Sequence, residues 1–157
     1  MTPDDFLDIV VTRNVVHLGE VRGSYRRAVN ALLTLDAFAG ILFAHLKCLN
    51  VAPTSDDLEF RDLLARESYN FKIVRDAAFA LKHGELTGRR ARLVRKANQI
   101  MAHPGTFDEA TFDRSTFDTG PVIWIETTDP NSSLPADVAT LSVLNYFRTR
   151  CLRFERA

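Results

Sequence analysis

Cysteine is scarce: only Cys48 and Cys151 occur in 157 residues. They lie far apart and in neither a Cys-x-x-Cys nor a Cys/His ligand spacing, so neither a disulfide framework nor a cysteine-based metal site is indicated. Two buried thiols in a reducing compartment are expected instead. Excess charge of either sign is missing too. Twenty basic side chains balance twenty acidic ones, which removes the global basic field that draws in nucleic acid and leaves only local patches open. Tryptophan occurs once and tyrosine three times.

Long uninterrupted apolar runs are absent as well. The most apolar stretch, Ala28 to Leu49, is broken by Asp36, His45 and Lys47, so no membrane partner is expected. The opening residues MTPDD carry neither a basic region nor the apolar run of a signal peptide, and a cytoplasmic location is the expectation. His17, His45, His83 and His103 fall in no HxxxH or HExxH spacing, so no metal is expected. A Walker loop, GxGxxG and GxSxG are all missing, which argues against the commonest nucleotide-binding and hydrolase scaffolds, and no cofactor is expected.

What is present points to helices. Eleven phenylalanines predict a greasy core. Thr2-Pro3-Asp4-Asp5 reads as a helix start, with Thr2 as cap and the acids at the positive helix end. Phe6, Ile9, Val10 and Val16 follow at helical spacing, and Gly19 and Gly23 loosen the chain after them. Ser24 caps a long central helix whose apolar set is Val29, Leu32, Leu33, Leu35, Phe38, Ile41, Leu42 and Leu46. Within it, Gly40 marks the close approach of a neighbouring helix. After the Pro53-Thr54-Ser55 break, Asp56 and Asp57 open a helix through Arg66. Ser68 caps another, from Tyr69 to His83, closed by Gly84; one kinked helix is the alternative to these two.

Beyond Gly84 the pattern changes. Periodicity does not separate strand from helix over 91–102, and strand is the favoured reading. Pro121 to Thr127 is a clearer strand, followed by a turn at Asp129 to Ser132. Pro135 precedes a final amphipathic helix marked by Val138, Leu141, Leu144, Phe147, Cys151 and Phe154. Between the strands, Thr-Phe-Asp recurs at Thr106, Thr111 and Thr116, as in a pentapeptide-repeat coil, though too few units occur to bury a core of their own. The fold class expected is mainly α (α+β): a four- to five-helix bundle with a small β-hairpin inserted before the C-terminal helix. One domain spans 1–157, with 91–127 as hairpin and Phe-rich loop.

Three groups of residues could carry chemistry. Arg75, Asp76, Lys82 and His83 gather near the end of one helix, a set able to hold phosphate and move a proton. The plainer reading is cations at the negative helix end, with Asp76 paired to Lys72. Arg90, Arg92 and Lys96 would share one face of a strand, with Arg89 and Arg95 on the other. That is a ribbon suited to a phosphate backbone, or simply a charged, solvated edge. Asp36 sits in the most apolar helix, where a carboxylate needs a partner; Arg13, Arg75 or a backbone donor are the candidates.

An arginine followed by a histidine late in a bundle helix resembles the HEPN superfamily. The resemblance implies a small helical bundle; in active members an R-x4-6-H motif cleaves RNA without metal, usually as a homodimer. Here seven residues separate Arg75 from His83, and three separate Arg13 from His17. The stretch from Arg75 to Gly84 also resembles helix ends of bacterial and phage proteins. The function expected first is therefore a HEPN-like binding or regulatory module without established catalysis. Second is a metal-independent RNA nuclease acting on RNA or a nucleotide, with Arg75 on phosphate and His83 as general acid–base. Third is a structural or assembly protein whose Phe-rich loop is the contact surface.

Overall fold

The computed structural model describes residues 1–88, 91–104 and 120–154, and side chains as far as Arg150. The Thr-Phe-Asp repeat, Arg89 and Arg90 lie outside the described residues. The chain begins with α1 (Pro3–Phe6), a π-turn (Leu7–Val11) and α2 (Thr12–Glu20), which run on without a break. Then come α3 (Tyr25–Cys48), α4 (Asp57–Glu67), α5 (Tyr69–His83) and, after the sheet, α6 (Ala136–Phe154). The sheet has three antiparallel strands in the order β1 (Ile100–His103), β2 (Val122–Ile125) and β3 (Leu134–Pro135). The architecture is mainly α with a small sheet before the last helix, as expected.

Capping fixes the helix starts. Thr2 accepts from the Asp5 N–H while Asp5 accepts from the Thr2 N–H, a reciprocal box. Hydrogen bonding to the Thr2 backbone N–H first, and to the Thr2 side chain second, holds the Asp5 carboxyl below its ordinary range. Ser24, Asp56 and Ser68 cap α3, α4 and α5 through their side chains. Ser68 has extended backbone angles, so α4 and α5 are two helices and not one kinked one. Gly84, at φ 76°, ends α5 in the positive-φ half of backbone space, which glycine enters far more readily than residues with a Cβ.

α3 is the hub of the bundle, packed against α2, α4, α5 and α6. By length and composition it is apolar enough to cross a membrane, but half of its apolar window is buried inside the bundle. Its Phe38 meets Phe147 of α6 edge-on at 4.8 Å, and Phe147 meets Phe71 of α5 at 5.4 Å, the edge-to-face geometry that aromatic quadrupoles favour. The inner face of the sheet adds Ile100, Ile123 and Ile125 to the same core.

Several expectations fail on which face turns inward. In the first helical run the buried residues are Leu7, Val11, Val15 and Leu18, while Ile9 and Val16 are about half exposed. The π-turn places an extra residue within the turn and so rephases the stripe. In α6, Val138 and Leu141 face solvent, and Ala136, Ala139, Thr140 and Val143 take the inner face beside Leu144 and Phe147. Cys48 is exposed, not buried. Residues 91–99 form no extended strand: a bridge joins Glu85 to Lys96, a 3₁₀ turn covers Ala97–Gln99, and β1 starts only at Ile100. β3 was not expected, since two residues are too few to show a period.

Gly23 does more than loosen the chain. A Cβ there would lie 2.4 Å from the carbonyl oxygen of Pro121, and next to it the Ile123 N–H donates to the Arg22 carbonyl at 3.0 Å. Because the obstacle is backbone, it cannot swing aside. Gly23→Ala is expected to cost about 1–3 kcal/mol in chemical denaturation; a variant as stable as the parent would show that the hairpin docks loosely.

Candidate functional site

Asp36 faces inward from α3 with no exposure. Arg61 of α4 donates through Nη1 to the Asp36 carboxylate and, at 2.8 Å, to the Asp36 carbonyl. Lys82 of α5 reaches the other carboxylate oxygen at 2.7 Å. Arg61 also donates through Nε to Asp57, one turn earlier on α4, at 2.8 Å. Gly40 makes room for this: a Cβ there would lie 2.7 Å from Arg61 Nη2. The close approach expected at Gly40 is thus by a guanidinium from α4.

Asp76 is the second buried carboxylate, also with no exposure. It accepts from Arg92 Nη1 at 2.6 Å, from the Leu93 N–H at 2.8 Å and, more weakly, from Arg75 Nη2 at 3.4 Å. Arg75 in turn donates to Asp62 of α4 at 2.6 Å. Two chains of alternating charge result: Asp57–Arg61–Asp36–Lys82 and Asp62–Arg75–Asp76–Arg92. Each holds two carboxylates and two cations, so each is neutral by itself. Phe79 lies between their ends, with Lys82 Nζ at 5.7 Å and Arg92 Cζ at 4.9 Å from its ring centroid. Buried carboxylates remain charged at tolerable cost only when met this completely. Two buried atoms of this set, Arg75 Nε and Asp57 Oδ1, find no hydrogen-bond partner among the described residues.

The candidates from the sequence are therefore divided. Asp36 and Lys82 come together, although neither Arg13 nor Arg75 is the partner of Asp36. Arg75, Asp76 and Arg92 come together, and Asp76 does not pair with Lys72. His83 stands apart, exposed at the tip of α5. It follows Arg75 by eight residues, roughly 12 Å along the helix axis, and Arg75 is turned inward to Asp62 and Asp76 while His83 meets solvent. The basic ribbon does not form among the described residues. Arg92 turns inward to Asp76, and Lys96 pairs with Glu85 at 3.1 Å on the surface; Arg90 lies outside the described residues.

Sequence reasoning missed Asp57, Arg61, Asp62 and Phe79. A signal for Arg61 was present. It shares a helical face with Asp57 and Leu64 and follows Phe60 directly, a lone cation in an apolar stripe, the counterpart of Asp36 in α3. Among the described residues no group of three or more His, Cys, Asp or Glu could hold a metal ion.

We found no match to any protein-family model, curated protein or solved structure.

Proposed function

We propose that this chain is a helical binding or regulatory module, HEPN-like in shape but without nuclease activity. The observation that supports this is the commitment of Arg75. It is held between Asp62 and Asp76, nearly buried, while the histidine that would complete a nuclease pair sits two turns away in solvent. An arginine serving a phosphate would have to leave two carboxylates, one of them fully buried, at a cost of several kcal/mol. Lys82, Arg92 and Lys96 likewise each face a carboxylate. An anionic ligand at these four side chains would therefore meet cations that are already engaged, and the ionic chains read best as a frame that fixes the relative position of α3, α4 and α5.

The test is a metal-free cleavage assay of the full chain against single-stranded RNA, hairpin RNA and nucleotides. The expected result is no turnover above a reaction without protein. Robust cleavage that disappears in His83→Ala, with the melting temperature unchanged, would replace this reading with the metal-independent nuclease.

A further inference from the structure

Outside the ionic frame, one groove combines ring faces with a carboxylate. The register of the sheet puts Met101 opposite Trp124 and His103 opposite Val122, so these four side chains share the outer face, away from the isoleucine core. Trp124 and His103 form an aromatic corner there, their ring centroids 5.6 Å apart and the planes inclined by 51°. Two residues past Trp124 on the same face, Glu126 brings a carboxylate oxygen to 3.2 Å from His103 Nε2. The turn after β2 supplies the far wall with Thr127, Pro130 and Ser133, and the groove encloses about 400 Å³.

No lysine or arginine is among the described residues that line it. Its polarity is the reverse of a phosphate site, since an anionic head group would sit against a carboxylate with no lysine or arginine among the described lining residues to offset it. A cation gains twice. The negative π-face of the indole attracts it, and the carboxylate neutralises it. The neighbouring backbone is well held: Gln99 Nε2 donates to the Glu126 carbonyl at 2.9 Å and the Thr127 N–H donates to Ser133 Oγ at 3.0 Å. The corner is thus built before any ligand arrives, which lowers the ordering cost of binding.

We infer that the outer face of the sheet is a binding site for an organic cation, a guanidinium or methylated ammonium head group, with Trp124 and His103 as ring walls and Glu126 as counter-charge. The inference deepens the binding reading and rests on it, naming the class of ligand.

Trp124 is the only tryptophan in the sequence, so its emission reports on this site alone. The full chain is titrated with N-acetyl-arginine amide and with tetramethylammonium chloride at constant ionic strength. N-acetyl-citrulline amide, the neutral isostere of the first, serves as control. A saturable change with either cation and none with citrulline is expected. Glu126→Gln should weaken the cation response about tenfold, as the loss of one charge-assisted contact implies, while the emission of the free protein stays the same. A tighter response to an arginine-containing pentapeptide than to the capped residue assigns the head group to a peptide partner; equal responses assign it to a free cation. Equal effects of arginine and citrulline, or undiminished binding in Glu126→Gln, would overturn the inference. Such a failure leaves the cleavage assay untouched, whereas RNA turnover would remove the binding reading itself.

Discussion

Replacing Asp36 by alanine is expected to lower stability by about 3–5 kcal/mol, the range for a buried ion pair that loses one partner. For a chain of this length that corresponds to a fall in Tm of about 10 °C. The cause is less the lost attraction than what remains. Arg61, with only 9% exposure, would keep its charge in the bundle interior with Asp57 alone to meet it. Lys82 provides the internal control. It bonds the same carboxylate, but its side chain is 42% exposed, so Lys82→Met should cost no more than about 1 kcal/mol. Replacing both members of the buried pair, Asp36→Leu with Arg61→Met, should cost much less than Asp36→Ala alone, because the charges left without a partner, Asp57 and Lys82, are nearly half exposed and water can solvate them. Denaturation curves for the four proteins decide the matter. If Asp36→Ala and Lys82→Met lose similar amounts, water reaches Asp36 and the ionic chain is a surface feature.

Asp76→Ala is expected to have an effect of similar size, about 3–5 kcal/mol, with a local signature that Asp36→Ala lacks. Asp76 carries the Leu93 N–H and Arg92, and the Leu93 carbonyl in turn accepts from the Thr128 N–H at 2.8 Å. Without the carboxylate, the segment after α5 loses its tie to that helix, and the end of β2 loses a tie to the segment. Hydrogen exchange should quicken at Leu93 and Thr128 well beyond what the global loss of stability explains. Asp76→Asn keeps an acceptor for the Leu93 N–H but removes the charge that meets Arg92, so it should fall between alanine and the parent. Unaltered protection of Leu93 and Thr128 in Asp76→Ala would mean that the segment is held by its other contacts.

The helices could be read in advance because their signals are local. The cap residues Thr2, Ser24, Asp56 and Ser68 and the terminator Gly84 act within a few positions of themselves, through bonds to the first N–H groups or through a backbone angle. The clearer strand, too, follows from a local run of β-branched and aromatic residues. Facing was harder. Ile9, Val16, Val138 and Leu141 sit at acceptable helical spacing and yet point to solvent, because the inward side of a helix is chosen by its neighbours. In the first run, the π-turn shifted that side as well.

For the candidate sites the division is sharper. That Asp36 must have a cationic or backbone partner followed from one carboxylate in an apolar helix, a matter of solvation energy. That Arg75, Asp76 and Lys82 all lie on one helix followed from its cap and terminator. Which charges meet did not follow. Asp36 pairs with Arg61 from 25 residues away and Asp76 with Arg92 from 16, and sequence distance places no limit on such pairs once helices pack side by side. The amino-acid order alone thus determined the helices, their ends, the mainly α class and the need to neutralise a buried charge. The tertiary structure decided which cations do so, that Arg75 and His83 point to different surroundings, and that Trp124, His103 and Glu126 share one face. The reason is physical: capping and propensity act over a few residues, whereas desolvated charges and ring corners depend on what another part of the chain brings within a few ångströms.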